Sequence, residues 1–181
     1  GAYTGIDPTD VTVTVNDDDT ASATVTPTTG LSVAEPAGTI TFTVTLGNEP
    51  VSPVTIDLST PSGECSAAAA GPLNSTNYAS GVTVTVTATD DNIADGDQTC
   101  TVVTSFSGDT VYAAVDPDDV TVTVQDDDTA GVTVGAATDA PEGSAPGDYS
   151  VGLDTVPTSG DVVVSVTSTD PAQCTVNPVS L

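Results

Sequence analysis

Two stretches of strict valine–threonine alternation, Val11–Val15 and Val120–Val124, each lead into three consecutive aspartates, Asp17–Asp19 and Asp126–Asp128. A period of two places every valine on one face of an extended strand and every threonine on the other. Both stretches therefore read as half-buried β-strands that end in a block of negative charge. Asp17 and Asp126 are 109 residues apart, and the same offset relates Tyr3 to Tyr112, Asp7-Pro8 to Asp116-Pro117 and Asp19-Thr20 to Asp128-Thr129. A period of this size matches one sandwich-sized unit. The expected organisation is the closing strand of a preceding repeat at 1–19, a complete repeat at 20–128, and the first part of a following repeat at 129–181. The sequence reads as an excerpt from a longer array.

Within the complete repeat, strand-forming runs alternate with turn residues, the pattern of an all-β sandwich. Strands are expected at Ala21 to Val33 (broken at Pro27 to Gly30), Thr39 to Leu46, Val54 to Leu58, Cys65 to Pro72 (weak), Gly81 to Ala88, Gln98 to Phe106 and Asp119 to Val124, seven in all. Ile40, Phe42, Val44 and Leu46 share one face and belong to the core, with Thr39, Thr41, Thr43 and Thr45 facing water. Val82, Val84 and Val86 repeat the arrangement, as do Val120, Val122 and Val124. With two Phe and no Trp, the core must be built of Val, Ile and Leu, and is thin for its length.

If successive strands run antiparallel, the first, third, fifth and seventh end at one pole. Their exits are Glu35, the loop Ser59 to Cys65, the loop Asp90 to Asp97 and the triplet Asp126 to Asp128. Glu35, Asp90, Asp91, Asp95, Asp97, Asp126, Asp127 and Asp128 thus gather at one end. The chain has 26 acidic residues and no Lys, Arg or His, a formal charge of −26, so no side chain can compensate them. Carboxylates held close repel one another. A divalent cation relieves that repulsion, and Ca²⁺, which accepts about 6–8 oxygens from several loops, suits such a site better than Mg²⁺ or Zn²⁺. The plainer reading is a set of solvated acidic loops. The spacing is not that of an EF-hand.

The absence of basic residues also excludes functions. Phosphate backbones and anionic membrane surfaces need cations to bind, so nucleic acid is not an expected partner, and no apolar run is long enough for direct membrane insertion. Only carboxylates and hydroxyls remain for chemistry, so an enzyme is not expected; a carboxylate-pair hydrolase is the one catalytic class left open.

The order Glu35, then a strand leading to Asp90-Asp91 with Asp95 shortly after, then a final Val-Thr-Val strand ending in Asp126-Asp127-Asp128, resembles the Calx-beta domain of exchanger regulatory loops and extracellular arrays. The resemblance spans the complete repeat and both fragments. It implies an immunoglobulin-like sandwich that binds Ca²⁺ at its distal loops, beside the junction with the next domain, through Glu35, Asp90, Asp91, Asp95, Asp126, Asp127 and Asp128. By the same correspondence Asp17, Asp18 and Asp19 close a preceding site and Glu142 opens a following one. The chain departs from the exchanger pattern in its cysteines and its lack of basic residues.

Strand parity puts Cys65 and Cys100 at the same pole, so a disulfide between them is expected, with Cys174 in the place of Cys65 in the next repeat. Such a bridge implies an oxidising setting outside the cytoplasm. Asn74-Ser75-Thr76 is an N-glycosylation sequon on an expected loop. The threonine rows, such as Thr83, Thr85 and Thr87, read most simply as a solvated sheet face. The function expected from all this is an extracellular structural protein, a stalk, adhesin or filament rigidified by calcium between repeats. Its partners would be neighbouring repeats or copies of itself, with a homopolymer possible. The alternative is a calcium-dependent module that binds a ligand or glycan at a cell surface, with Tyr3, Tyr78, Tyr112 and Tyr149 as the aromatic candidates.

Overall fold

A computed structural model describes residues 1–144, 146–176 and 179–180. Residues 20–128 contain β1 (Ala23–Thr26), β2 (Leu31–Ala34), β3 (Thr39–Leu46), β4 (Thr55–Ser59), β5 (Cys65–Ala69), β6 (Val82–Ala88), β7 (Gln98–Ser107) and β8 (Val120–Gln125). They form two four-stranded sheets, ordered β1-β3-β6-β5 and β2-β8-β7-β4. One buried cluster is shared by both, the arrangement of a β-sandwich. Among the described residues no helix is long and apolar enough to cross a membrane.

The alternation read from the sequence sets the two faces of each strand. Phe42, Val44 and Leu46 of β3 are buried, as are Val82, Val84 and Val86 of β6 and Val120, Val122 and Val124 of β8. Each such side chain contributes roughly 1.5–3 kcal/mol by leaving water. Their threonine neighbours line up on the outer face, Thr43 opposite Thr83 and Thr41 opposite Thr85.

The expected first strand is two strands in different sheets. β1 pairs antiparallel with β3, whereas β2 pairs in parallel with β8. The break falls at Pro27, which has no N–H to donate to a ladder, and at Gly30, whose φ of 75° is a conformation that side chains disfavour. Thr121 donates its N–H to the Thr28 carbonyl inside the crossover (2.9 Å), so the chain changes sheets without losing that bond. Because the chain direction is kept through the switch, β2 still ends at the acidic pole.

The opposite pole is fastened by a group the sequence did not single out. Asp109 is 3% exposed and accepts N–H bonds from Ser52 (2.9 Å), Val111 (2.8 Å) and Tyr112 (3.2 Å). The buried Tyr112 donates its hydroxyl to the Asn48 carbonyl at 2.6 Å and accepts from the Asn48 N–H at 3.3 Å.

The flanking segments differ from one another. In the last one, β9 (Val132–Val134) pairs with β10 (Val151–Leu153), and β11 (Val163–Val164) with β12 (Val179–Ser180). Val132 faces Leu153 as Ala23 faces Leu46, and Val134 faces Val151 as Val25 faces Val44. Even the flanking bond is reproduced: Asp154 N–H to Gly131 O (3.0 Å) answers Gly47 N–H to Ser22 O (2.8 Å). Residues 1–19 carry no strand, and Val11, Val13 and Val15 are 87%, 76% and 88% exposed.

Candidate metal centre

Three strand ends bring the carboxylates of the acidic pole together. Glu35 is the first residue after β2, and its N–H bonds the Gln125 carbonyl (3.1 Å), continuing the β2–β8 ladder by one step. That bond sets Glu35 beside the triplet that follows β8. Asp90 and Asp91 leave the end of β6, where Thr89 is held by the Glu64 carbonyl at 2.9 Å. Asp91 accepts the N–H of Ile93 (2.8 Å), which turns the loop back toward the triplet.

Two groups of carboxylates converge there. Glu35, Asp91 and Asp128 form one and Glu35, Asp90 and Asp127 the other; within each, one oxygen per residue lies within 4.8 Å of the others. Glu35 belongs to both. The first group is half-buried, while Asp90 and Asp127 of the second are exposed. Five carboxylates therefore surround two adjoining positions, each able to receive a hard cation.

The electrostatics follow from the crowding. Partial burial, then the charges of Asp91, Asp126, Asp127 and Asp90, push the Glu35 carboxyl above its ordinary 4.5. The same causes raise Asp128 above 3.8, burial first and the neighbouring aspartates next. Among the described residues, Asp128 Oδ2 is sealed from solvent and accepts no hydrogen bond. A buried carboxylate oxygen in that condition is costly in a folded protein. A cation set between Glu35, Asp91 and Asp128 would satisfy it.

Asp126 does a different job. Its Oδ1 accepts the Asp128 N–H (2.8 Å) and its Oδ2 the Gly96 N–H (2.7 Å), tying the triplet to the 90–97 loop. These bonds hold its carboxyl below the ordinary 3.8. Asp126 thus fastens the triplet to the loop, and it stands outside both groups, as does Asp95, whose own N–H bonds the Ile93 carbonyl at 2.9 Å. Asp17, Asp18, Asp19 and Glu142 are exposed and also belong to neither group.

The cysteines meet as expected. Cys65 of β5 and Cys100 of β7 form a disulfide with Cα atoms 6.0 Å apart, joining the two sheets beneath the acidic pole. Cys174 is free and exposed. The 90–97 loop also touches the segment that follows β8, where Val156 donates its N–H to the Asn92 carbonyl at 2.8 Å.

No protein-family model, no curated protein and no solved structure matches this chain. What the chain itself shows is a convergent set of carboxylates, with no basic side chain to pair them, at one end of a disulfide-bridged β-fold.

Proposed function

We propose that this chain is part of an extracellular structural protein, built of Calx-beta-like, immunoglobulin-type sandwich repeats set end to end and stiffened by Ca²⁺ where they meet. The observation that carries this reading is Asp128 Oδ2, sealed without a partner among four other carboxylates in a chain that has no Lys, Arg or His. All-oxygen coordination by flexible carboxylates from separate loops favours Ca²⁺ over Mg²⁺, which holds its waters, and over Zn²⁺, which prefers nitrogen and sulfur. Two ions sharing Glu35 fit the two overlapping groups.

The repeat character is supported by the matching registers of β1–β3 and β9–β10. Coupling between units is supported by the Asn92–Val156 bond, since Asn92 directly follows the ligand Asp91. Metal that orders the 90–97 loop would therefore order the contact to the following unit. A stalk, an adhesin shaft or a homopolymeric filament all use that mechanics. The disulfide agrees with folding outside the cytoplasm. A surface ligand-binding module has less behind it: of its four candidate tyrosines, Tyr112 is buried and Tyr78 packs on the core, while Tyr3 and Tyr149, 84% and 40% exposed, lie in separate flanking segments.

The test is thermal melting of the metal-free chain against added CaCl₂, with MgCl₂ as control. For extracellular sites with Kd near 10⁻⁴–10⁻³ M, about 10 mM Ca²⁺ adds roughly 1.4–2.7 kcal/mol per site. A melting temperature unmoved by Ca²⁺, or moved equally by Mg²⁺, would remove the proposal.

A further inference from the structure

At the pole opposite the carboxylates, the turn between β5 and β6 carries Asn74-Ser75-Thr76, and its hydrogen bonds sort the carboxamide atoms. The Thr76 N–H (2.9 Å) and the Thr76 hydroxyl (2.6 Å) both donate to Asn74 Oδ1. Asn74 Nδ2, in contrast, donates to no group among the described residues. The neighbouring carboxamides each donate to a backbone carbonyl: Asn77 Nδ2 to Pro72 O (3.1 Å) and Asn48 Nδ2 to Thr20 O (2.9 Å). So one asparagine here has a fixed carbonyl oxygen, a threonine hydroxyl bound to it and an uncommitted nitrogen.

The surroundings leave room for a bulky substituent. Ser75 and Thr76 are exposed, and an open groove lined by Glu49, Pro50, Val51 and Pro53 runs beside Asn74 and Ser75. Val51 is 93% exposed at its rim. Proline and valine carbons offer an apolar surface for the flat face of a first sugar ring. Asn74 itself is half-buried in a closed turn: its carbonyl accepts the N–H groups of Asn77 (3.2 Å) and Tyr78 (3.0 Å), and its own N–H donates to Asn77 Oδ1 (2.7 Å).

We propose that Asn74 is an acceptor for an N-linked oligosaccharide, delivered from a polyprenyl-diphosphate-linked donor by an oligosaccharyltransferase. In the transfer, Asn74 Nδ2 forms a bond to the anomeric carbon of the donor sugar. The bond from that carbon to the diphosphate oxygen breaks, the diphosphate leaves with the electron pair, and Nδ2 gives up one proton to a base of the transferase. The Thr76 hydroxyl on Oδ1 makes the amide N–H more acidic and holds the carboxamide plane for attack. This assignment rests on the extracytoplasmic part of the proposed function and not on metal binding. It sets bulk and hydration at the pole away from the calcium ligands, where sugar cannot block them.

The experiment incubates the folded, disulfide-bonded chain with a purified oligosaccharyltransferase and its lipid-linked oligosaccharide, then reads intact mass. One glycan increment is expected, located at Asn74 by tandem mass spectrometry after a peptide N-glycosidase converts the linked asparagine to aspartate. Thr76→Ala should abolish the increment and Thr76→Ser should restore it. Both changes lie at an exposed position and leave the core intact, so loss through misfolding is separated from loss of the hydroxyl. Asn74→Gln should also abolish it. The proposal is overturned if the chain stays unmodified while a control sequon peptide is glycosylated, if Asn74→Gln keeps the increment, or if only the reduced, unfolded chain is modified. Calcium titration of the same sample tests the metal reading separately.

Discussion

Breaking the Cys65–Cys100 bridge should cost this fold a large share of its stability, because the bridge joins the two sheets and the core it supplements is built mostly of valine. The cysteines are 35 residues apart. In the chain-entropy treatment, closing a loop of that length lowers the freedom of the unfolded chain by about 3–4 kcal/mol at room temperature. For a unit of about 110 residues, each kcal/mol moves the melting temperature by roughly 4–8 °C, so the reduced form should melt about 12–30 °C lower. Both half-cystines are nearly inaccessible, Cys65 at 3% and Cys100 at 0% exposure. A reductant added to the native chain should therefore act only through unfolding, at a rate that climbs with denaturant. The assay compares calorimetric melts of oxidised chain with chain reduced in denaturant and returned to buffer under reductant. Two melts within two or three degrees of each other would refute the reasoning, since the bridge would then impose no constraint the rest of the fold does not already supply.

The acidic pole gives a test in which the sign inverts. Asp128→Asn should raise the melting temperature in metal-free buffer, by removing a crowded charge, and lower it in saturating Ca²⁺, by removing a ligand; a change of the same sign in both conditions would count against the site. The pH dependence follows from the same charges. Glu35 and Asp128 titrate above their ordinary 4.5 and 3.8, so the stability gained by protonating them is fully present below those values and is lost as pH climbs through their folded values. Asp109 and Asp126 titrate below 3.8, held there chiefly by backbone N–H bonds, so their contribution is present above 3.8 and lost as pH falls through their folded values. Metal-free melts should thus peak in mild acid and fall on either side, and a steady decline from neutral pH downward would contradict this. Tyr112→Phe, which strands the Asn48 carbonyl, should cost about 1–2 kcal/mol in chemical denaturation. Gly81→Ala should cost about 1–3 kcal/mol or more, because Gly81 has φ near 87° and a Cβ there would meet the Val44 carbonyl oxygen at 2.8 Å.

Local rules of the chain were sufficient for much of this structure. Val/Thr alternation marked β3, β6 and β8 and told their buried faces from their wet ones, because a period of two leaves no other way to hide the valines. Strand parity was sufficient to send Glu35, Asp90, Asp91, Asp127 and Asp128 to one end and to bring Cys65 to Cys100. It did not reveal that the first expected strand crosses between sheets at Pro27 to Gly30, since partner choice on either side of a break depends on strands far along the chain. Nor did it separate Asp126 from its neighbours: three identical side chains in a row acquire different jobs only when the Gly96 N–H comes within reach of one of them. Asp109 was legible only in part: Val111 and Tyr112, two of its donors, are close neighbours, but Ser52 lies 57 positions away.

The two copies of the acidic triplet show where that boundary lies. Asp17 accepts the Asp19 N–H at 3.1 Å just as Asp126 accepts that of Asp128 at 2.8 Å, so the turn itself is written in the residues. Val11–Val15 and Val120–Val124 are likewise identical in sequence, yet only the second is a buried strand. A hairpin-length turn is closed by its own atoms. A strand needs neighbours to bond its backbone and cover its valines, and a metal centre needs carboxylates from loops that only the packed sheets bring together.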